Sequence, residues 1–218
     1  MKTILRTLGG SAGLLLAAGL CTQSTYAQLV ISVDMDTSAL GIQSSRAAVP
    51  GDTFDVGIVF DLAGHVGGVS SYGVSLQFNN AELVLNPPAP ATTAALETLP
   101  AGFTFNITPG VAAASDNIGG GLGQVSTFEA ATFGSGPTTG SFTVGTVAFK
   151  VLSPITAAGI DITPGLFNAG FDGLFDNASA GISSLTLVGG SVVPEPSTYG
   201  AIAGGLLLGW ASLRRIRR

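Results

Sequence analysis

The chain has 218 residues, with eight Lys or Arg, thirteen Asp or Glu and a formal net charge of −5. Most basic residues lie near the two ends, so the body between residues 28 and 193 keeps two basic and twelve acidic residues, a formal charge of −10. Such a body lacks the basic patches that bind phosphate, which argues against nucleic acid as a partner. Its charge is compatible with cations and with neutral or basic surfaces.

The first 27 residues have the pattern of a secretory signal peptide. Two basic residues precede an apolar stretch from Leu8 to Leu20, and small residues occupy positions −3 and −1 of a cleavage site after Ala27. We therefore predict export through the Sec machinery and a mature chain that begins at Gln28. Cys21 would be removed with the signal, so the mature chain has no thiol and depends on its hydrophobic core.

Residues 28–190 predict one all-β domain. Apolar residues alternate with polar or small ones in several runs, which is the period of a strand with one buried face. Turn residues separate these runs at short intervals, and Asn117–Gly123 is predicted as a glycine-rich loop. We predict an antiparallel β-sandwich or jelly roll. The predicted strands are Gln28–Val33, Thr53–Asp61, Tyr72–Phe78, Glu82–Leu85, Gly102–Ile107, Gln124–Thr132, Phe142–Val151, Ile155–Ile162 and Ile182–Val188.

The same alternation predicts which side chains share a face in three of these strands. In the strand Thr53–Asp61, the shared face holds Phe54, Val56, Ile58 and Phe60. In the strand Tyr72–Phe78, it holds Tyr72, Val74, Leu76 and Phe78. In the strand Phe142–Val151, strict alternation predicts two opposite faces. One face holds Phe142, Val144, Thr146, Ala148 and Lys150, and the other holds Thr143, Gly145, Val147, Phe149 and Val151.

Residues that carry catalysis are scarce in the body. His65 is the one histidine of the sequence, and the body between residues 28 and 193 contains no G-x-S-x-G elbow. We predict no enzyme and no cofactor, with glycoside hydrolysis by an unidentified pair of carboxylates as an alternative.

A weak calcium candidate lies at Asp172, Asp176 and Asn177, close to Asn168. Calcium prefers six to eight oxygen ligands, and a loop of this composition supplies several. The alternative interpretation is a pair of β-turns whose Asp and Asn side chains accept backbone N–H groups.

The last 25 residues join a rigid acidic tripeptide, a short apolar segment and a basic end. Pro194 and Pro196 flank Glu195 and favour the extended backbone that a protease reads. The apolar run Tyr199–Leu213 has 15 residues. As a helix it spans about 22 Å, less than a hydrocarbon core of ~30 Å, and snorkelling arginines with local thinning can close the gap. By the positive-inside rule the basic end is cytoplasmic; it consists of Arg214, Arg215, Arg217 and Arg218.

This tail resembles the PEP-CTERM sorting signal that exosortases recognise and cleave in Gram-negative bacteria. The resemblance implies a signal over 191–218, with the motif at 194–196, a transmembrane helix at about 199–213 and a basic end at 214–218. It implies an exosortase-like processing enzyme and an inner-membrane intermediate, followed by the cell surface or extracellular space. A role in an exopolysaccharide or biofilm matrix follows from the family. A permanently anchored periplasmic domain is the alternative, although it leaves the Pro-Glu-Pro unexplained.

The body resembles cohesin-like domains of exported bacterial proteins. Three blocks carry the resemblance in the expected order, at Val49–Val56, Tyr72–Leu83 and Gly145–Val151. The resemblance implies a jelly-roll sandwich with a protein-binding or scaffolding role. An adhesin, or a protein- or carbohydrate-binding module, therefore stands beside the matrix role, with exopolysaccharide or an unidentified protein as ligand.

Overall fold

The computed structural model describes residues 28–89, 95–106, 113–152, 159–167, 173–195, 200–208 and 210. Two six-stranded sheets form the fold, together with a two-stranded sheet. Within these described ranges there is one helix, α1, at residues 200–208 and 210. The strands are β1 (Leu29–Asp34), β2 (Ser45–Ala48), β3 (Thr53–Asp61), β4 (Ser71–Asn79), β5 (Leu83–Leu85), β6 (Ala95–Glu97), β7 (Phe105–Asn106), β8 (Ala113–Gly119), β9 (Leu122–Ala131), β10 (Ser141–Val151), β11 (Ile162–Gly165), β12 (Gly173–Phe175), β13 (Leu185–Val188) and β14 (Ser191–Pro194).

The two larger sheets pack face to face as a sandwich. The first has the order β13-β1-β3-β10-β5, with β6 also beside β10. The second has the order β11-β4-β9-β7, with β12 beside β4 and β8 beside β9. Consecutive strands cross repeatedly from one sheet to the other, so local hairpins alone do not build either sheet. The prediction of a β-sandwich is confirmed.

Two strand pairs are parallel, so the purely antiparallel prediction is wrong. β1 pairs in parallel with β13, and β2 pairs in parallel with β14. Each pair joins a strand near the start of the domain to one near its end. Parallel strands need a long connection rather than a hairpin, so no turn in the sequence announces the pairing. The result is that the two ends of the domain lie side by side.

The core lies between the facing sheets and contains the residues that alternation predicts in β3 and β4. In β3 these side chains are at most 6% exposed, and in β4 at most 1%. The aromatic rings form two groups along the core. Phe78 packs edge-on against Phe149 with centroids 5.0 Å apart, and Tyr72 packs edge-on against Phe103 at the same distance. These rings link both sheets into one hydrophobic core.

The predicted alternation of β10 fails at a bulge between Thr143 and Gly145. Val144, the extra residue of the bulge, is buried, and Val147, Phe149 and Val151 are buried after it. The extra residue shifts the phase of the strand, so each predicted face is split between core and surface. A Cβ on Gly145 would overlap the Phe128 ring, so this position accepts no larger residue without rearrangement.

Several elements differ from the sequence prediction. The predicted glycine-rich loop at 117–123 is a β-hairpin whose turn residues, Gly120 and Gly121, have φ of 65° and 80°. Glycine adopts this left-handed conformation without steric cost. β2, β6, β12 and β14 are short strands of three or four residues that the sequence did not predict. Of the predicted strand 155–162, residues 155–158 lie outside the described part and β11 begins at Ile162.

Candidate functional site

The predicted sorting motif begins inside the fold. Pro194 is the last residue of β14 and lies beside Ala48 of β2 in the parallel pair. Pro194 and Glu195 are both half-buried. Since Ala48 leads into the turn before β3, the tail leaves the sandwich at the end where β3 starts. We call this the exit end, and the end where β3 finishes the opposite end.

The remaining residues of the predicted signal are only partly described. β14 lies beyond residue 190, the predicted end of the domain, and pairs with β2 as a strand of the fold. Pro196 and the four arginines of the basic end lie outside the described residues, namely Arg214, Arg215, Arg217 and Arg218. The structure therefore shows how the motif starts and leaves its recognition by an enzyme as a prediction.

A buried carboxylate binds β14, which we call the exit strand, on the side away from β2. Asp161 is 5% exposed, and its Oδ2 accepts the N–H of Val192 at 2.6 Å. The neighbouring N–H, of Ser191, donates to the Ser44 carbonyl just before β2 at 3.0 Å. Successive amides of β14 are thus bound on opposite sides.

The electrostatics around Asp161 oppose its ionisation. Burial raises the pKa of Asp161 above its ordinary value of 3.8, the Val192 N–H works against that rise, and the charge of Glu82 adds to it. Glu82 is itself only 4% exposed. Removing a carboxylate from water disfavours its charged form unless donors compensate. The sequence analysis missed both residues, because two acidic residues 79 positions apart show no pattern.

Helix α1 lies within the predicted helix at about 199–213, whose remaining residues are outside the described part. Its apolar side chains face outward, with Ile202, Leu206, Leu207 and Leu208 between 58% and 72% exposed. Among the described residues, no helix combines the length and apolar character needed to cross a membrane. The membrane stage stays a prediction.

The predicted mature N-terminus lies next to the C-terminal strands. Gln28 directly precedes β1, and its Oε1 accepts the Thr186 hydroxyl of β13 at 2.7 Å. Ala27 and the rest of the predicted signal peptide 1–27 are outside the described residues. Cleavage between Ala27 and Gln28 stays a prediction.

The calcium candidate residues bind backbone groups at the opposite end. Asp176 Oδ1 accepts two N–H groups of the following turn, both at 2.8 Å. Asn177 Oδ1 accepts the Gly136 N–H at 2.8 Å, and its Nδ2 donates to the Gly136 carbonyl at 3.2 Å. The Asp176 bonds are those expected for the β-turn alternative, whereas the Asn177 bonds join two loops 41 positions apart. Asp172 lies outside the described residues, within which no three acidic, His or Cys residues form a metal-binding group; calcium stays a prediction.

His65 lines a cleft of about 390 Å³ at the opposite end, together with Asp176, Ser183 and Ser184. The Nε2 of His65 lies 3.1 Å from the Gly68 carbonyl, so Nε2 carries the hydrogen and donates it. Asp176 already binds the turn that follows it. A triad needs histidine to accept a serine proton while the aspartate orients it. Here both side chains instead order the loops.

The outer face of the second sheet carries two half-exposed phenylalanines at its edge. Phe167 follows β11 and is 37% exposed, and Phe175 ends β12 and is 45% exposed. A Cβ on Gly165 would lie 2.5 Å from the Phe167 ring, and one on Gly173 would lie 3.1 Å from the Phe175 ring. Each ring therefore lies over a glycine, and together they offer an apolar surface of the kind that protein partners cover.

Glu97 ends β6 of the first sheet and binds groups of the second sheet. Its Oε1 accepts the Glu129 N–H at 2.7 Å, and its Oε2 accepts the Asn106 amide at 2.9 Å. Burial, with the added charge of Glu97, raises the pKa of Tyr72. The sequence analysis missed this arrangement, because Glu97 and Glu129 lie 32 positions apart and show no periodic signal. These bonds connect β6 of the first sheet to β7 and β9 of the second.

Comparison with solved structures finds similarity to cohesin domains. The sixth cohesin of scaffoldin B from Acetivibrio cellulolyticus, in complex with a Cel5 dockerin, is 12% identical over 78% of this chain and 100% of its own, with a TM-score of 0.47. A non-cellulosomal cohesin from the archaeon Archaeoglobus fulgidus is 15% identical over 80% and 98%, with a TM-score of 0.45. A type I cohesin from Pseudobacteroides cellulosolvens is 13% identical over 77% and 93%, with a TM-score of 0.44.

No protein-family model and no curated protein sequence matches the chain.

Proposed function

We propose that this protein is a non-catalytic β-sandwich that is exported, held at the inner membrane by its tail, and delivered to the cell surface or extracellular matrix by an exosortase-like enzyme. The position of Pro194-Glu195-Pro196 carries the proposal. The motif stands where the last strand ends, ahead of an exposed apolar helix and an arginine-rich end. A removable tail is expected at such a place, because cutting there leaves the sandwich whole.

The short connection between strand and helix supports presentation of the domain at the membrane. Five residues separate the end of β14 from the start of α1. Fully extended, they reach roughly 20 Å. An enzyme that reads the motif therefore works close to both the sandwich and the helix. The half-buried Glu195 would be read beside the fold.

The polar groups of the body support a structural rather than a catalytic role. Asp161, Glu97, Asp176 and Asn177 all accept backbone N–H groups, and His65 donates to a carbonyl. These side chains are engaged in holding strands and loops. Function on such a fold depends on a surface site, which argues for binding or matrix assembly.

Mass spectrometry of the protein from its native host tests the proposal. Intact masses and terminal peptides are measured separately for membrane and extracellular fractions. We expect an extracellular form that starts at Gln28 and lacks α1, and a Glu195→Ala variant that accumulates uncut in the membrane fraction. Ser197→Ala, two residues away, is the matched control and should be processed normally. Finding only membrane-bound chains that extend to Arg218 would contradict the proposal and favour a permanent anchor.

A second candidate function is a specific protein-binding module, in keeping with the cohesin-like sequence blocks. The half-exposed Phe167 and Phe175 on the second sheet favour it, because buried aromatic anchors dominate protein interfaces. The partner would be a protein with a complementary apolar surface.

Binding by a purified secreted protein of the same host tests this second function. A true partner should bind saturably to the full chain, and the double variant Phe167→Ser, Phe175→Ser should lose at least tenfold in affinity. Leu96→Ser changes an apolar residue on the first sheet that is 64% exposed, more than either phenylalanine, and serves as the control. Equal losses in both variants would indicate non-specific adhesion and reject the module.

A further inference from the structure

We infer that Asp161 is the positioning residue of the sorting tail: by binding the Val192 N–H it keeps β14 paired with β2, so that the tail leaves the fold at Pro194 and β14 stays with the domain when the tail is removed. This inference rests on the proposed function and adds the device that decides where the removable segment begins.

The exit strand is bound along both of its edges. On one side Ser191 N–H donates to the Ser44 carbonyl at 3.0 Å. On the other side Val192 N–H donates to Asp161 Oδ2 at 2.6 Å. The Ser191 hydroxyl also donates to the Gly159 carbonyl. A strand held on both edges is not available as a free extended substrate, so an enzyme reaches only the chain beyond it.

Asp161 is itself fixed by backbone bonds. Its N–H and that of Ile162 both donate to the Gly190 carbonyl, at 2.9 and 3.0 Å, and Gly190 N–H returns a bond to Ile162. The Asp161 carbonyl accepts the Asn79 N–H at the end of β4 at 2.8 Å. The carboxylate therefore joins the exit strand to the end of β4 in the second sheet. This rigidity makes it a fixed point from which the tail departs.

Burial adds a second reason for β14 to stay. Val192 is 1% exposed and belongs to the hydrophobic core. Removing β14 would expose this side chain and take the Val192 N–H away from the Asp161 carboxylate. Both losses destabilise the fold, since buried apolar area and buried charge each need their partners. Because β14 ends at Pro194, we place the cut after this residue.

We call the hydrogen bond from Val192 N–H to Asp161 Oδ2 the clasp. The charged groups near Asp161 make the strength of the clasp depend on pH. Glu82, in the turn before β5, is the charged group whose field reaches it, while Asn79 and Val192 supply hydrogen bonds. Burial raises the pKa of Asp161 in the closed state. Opening β14 admits water and lowers that pKa again, so opening becomes easier as the pH rises through the closed-state pKa. Asparagine at this position retains an acceptor and removes the titration.

Amide hydrogen exchange of the full chain in detergent micelles tests the clasp directly. Asp161→Ala should speed exchange at Val192 by roughly tenfold to a hundredfold, because a buried donor loses its partner. Asp161→Asn should keep the protection and abolish its pH dependence after correction for intrinsic exchange. Asp176→Ala, at the opposite end, is the matched control and should leave Val192 unchanged.

Two results would overturn the inference. One is unchanged protection of Val192 in Asp161→Ala. The other is an Asp161→Asn variant that keeps the same pH dependence as the unaltered chain, and this readout remains decisive if the alanine variant fails to fold.

The C-terminus of the extracellular form separates this inference from the proposed function. We expect its terminal peptide to include Val193 and Pro194. An extracellular form that ends before Pro194 would refute the retention of β14 while leaving sorting intact. Absence of any processed form would refute the sorting proposal, and with it the positioning role in processing, whereas the exchange experiment would still report whether the clasp exists.

Discussion

Asp161 and Asp176 both accept backbone N–H groups, but their partners lie at very different distances along the chain. Asp161 binds Val192, which is 31 residues away, at a buried site. Asp176 binds N–H groups two and four residues away in an exposed turn. A local turn can form whenever the chain bends, whereas the Asp161 bond requires a closed sandwich. The comparison teaches that reach along the chain, rather than residue type, decides whether an aspartate organises a turn or the fold.

The largest expected effect tests whether the exit end and the opposite end of the sandwich unfold together. Phe149 is fully buried, with its ring centroid 5.0 Å from that of Phe78. Phe149→Ala should lower the free energy of unfolding by about 3–5 kcal/mol, because it leaves a cavity. Exchange at Val192 and at Ala178 should accelerate equally if one core supports both ends. Acceleration at the exit end alone would show that the ends are separate cooperative units.

The next largest effect compares how much Asp161 and Asp176 each contribute to the free energy of unfolding. Asp161→Ala should lower the free energy of unfolding by about 1–3 kcal/mol, since it strands a buried donor. Asp176→Ala should cost about 0.5–1 kcal/mol, because water can replace an exposed turn bond. Urea unfolding measures both, provided the slope against denaturant stays constant. Equal costs would break the distinction between local and long-range bonds.

A smaller effect should appear as a pH dependence at one end only. A carboxyl whose folded-state pKa is raised stabilises the fold while protonated, and this contribution is lost as the pH rises through that pKa. Asp161→Asn removes the loss, so the variant should gain stability relative to the unaltered chain as the pH rises above 3.8 and through the raised pKa of Asp161. Asp176→Asn is the matched control at the opposite end. Parallel profiles for Asp161→Asn and the unaltered chain would contradict the assignment.

The smallest effect concerns the two basic residues of the body, both at the exit end. Arg46 lies 5.3 Å from the Phe54 ring centroid and 3.4 Å from Asp36, with both charged side chains about one-third exposed. Arg46→Ala should cost at most about 1 kcal/mol, because exposed ion pairs and cation–π contacts are weak. Lys150→Ala, on the exposed face of β10, should change stability less. Thermal unfolding compares the two, and a larger cost for Lys150→Ala would reject this ranking.

Sequence patterns predicted the elements whose signal is contained within a single strand. Phe54 to Phe60 and Tyr72 to Phe78 alternate in sequence and are buried as expected. β10 was predicted correctly in position, but its strict alternation fails between Thr143 and Gly145, because a bulge depends on the neighbouring strand. The short strands β2 and β14 escaped prediction because only their pairing with each other makes them strands.

The candidate site likewise contains residues that the sequence identified and a residue that only the fold revealed. Pro194, Glu195 and Pro196 were identified by their spacing from an apolar run and a basic end, which needs no knowledge of the fold. Asp161 was not identified, because its role appears only where β14 returns beside it.

By itself, the sequence determined the all-β class, the strands with strong alternation and the address-like order of the tail. These features are local: each follows from side chains a few positions apart on one segment. Only the tertiary structure decided the two parallel pairs, the phase of β10 and the carboxylate that holds the exit strand. Those features join residues many positions apart, and the free energy that selects them exists only after both sheets have closed over their common core.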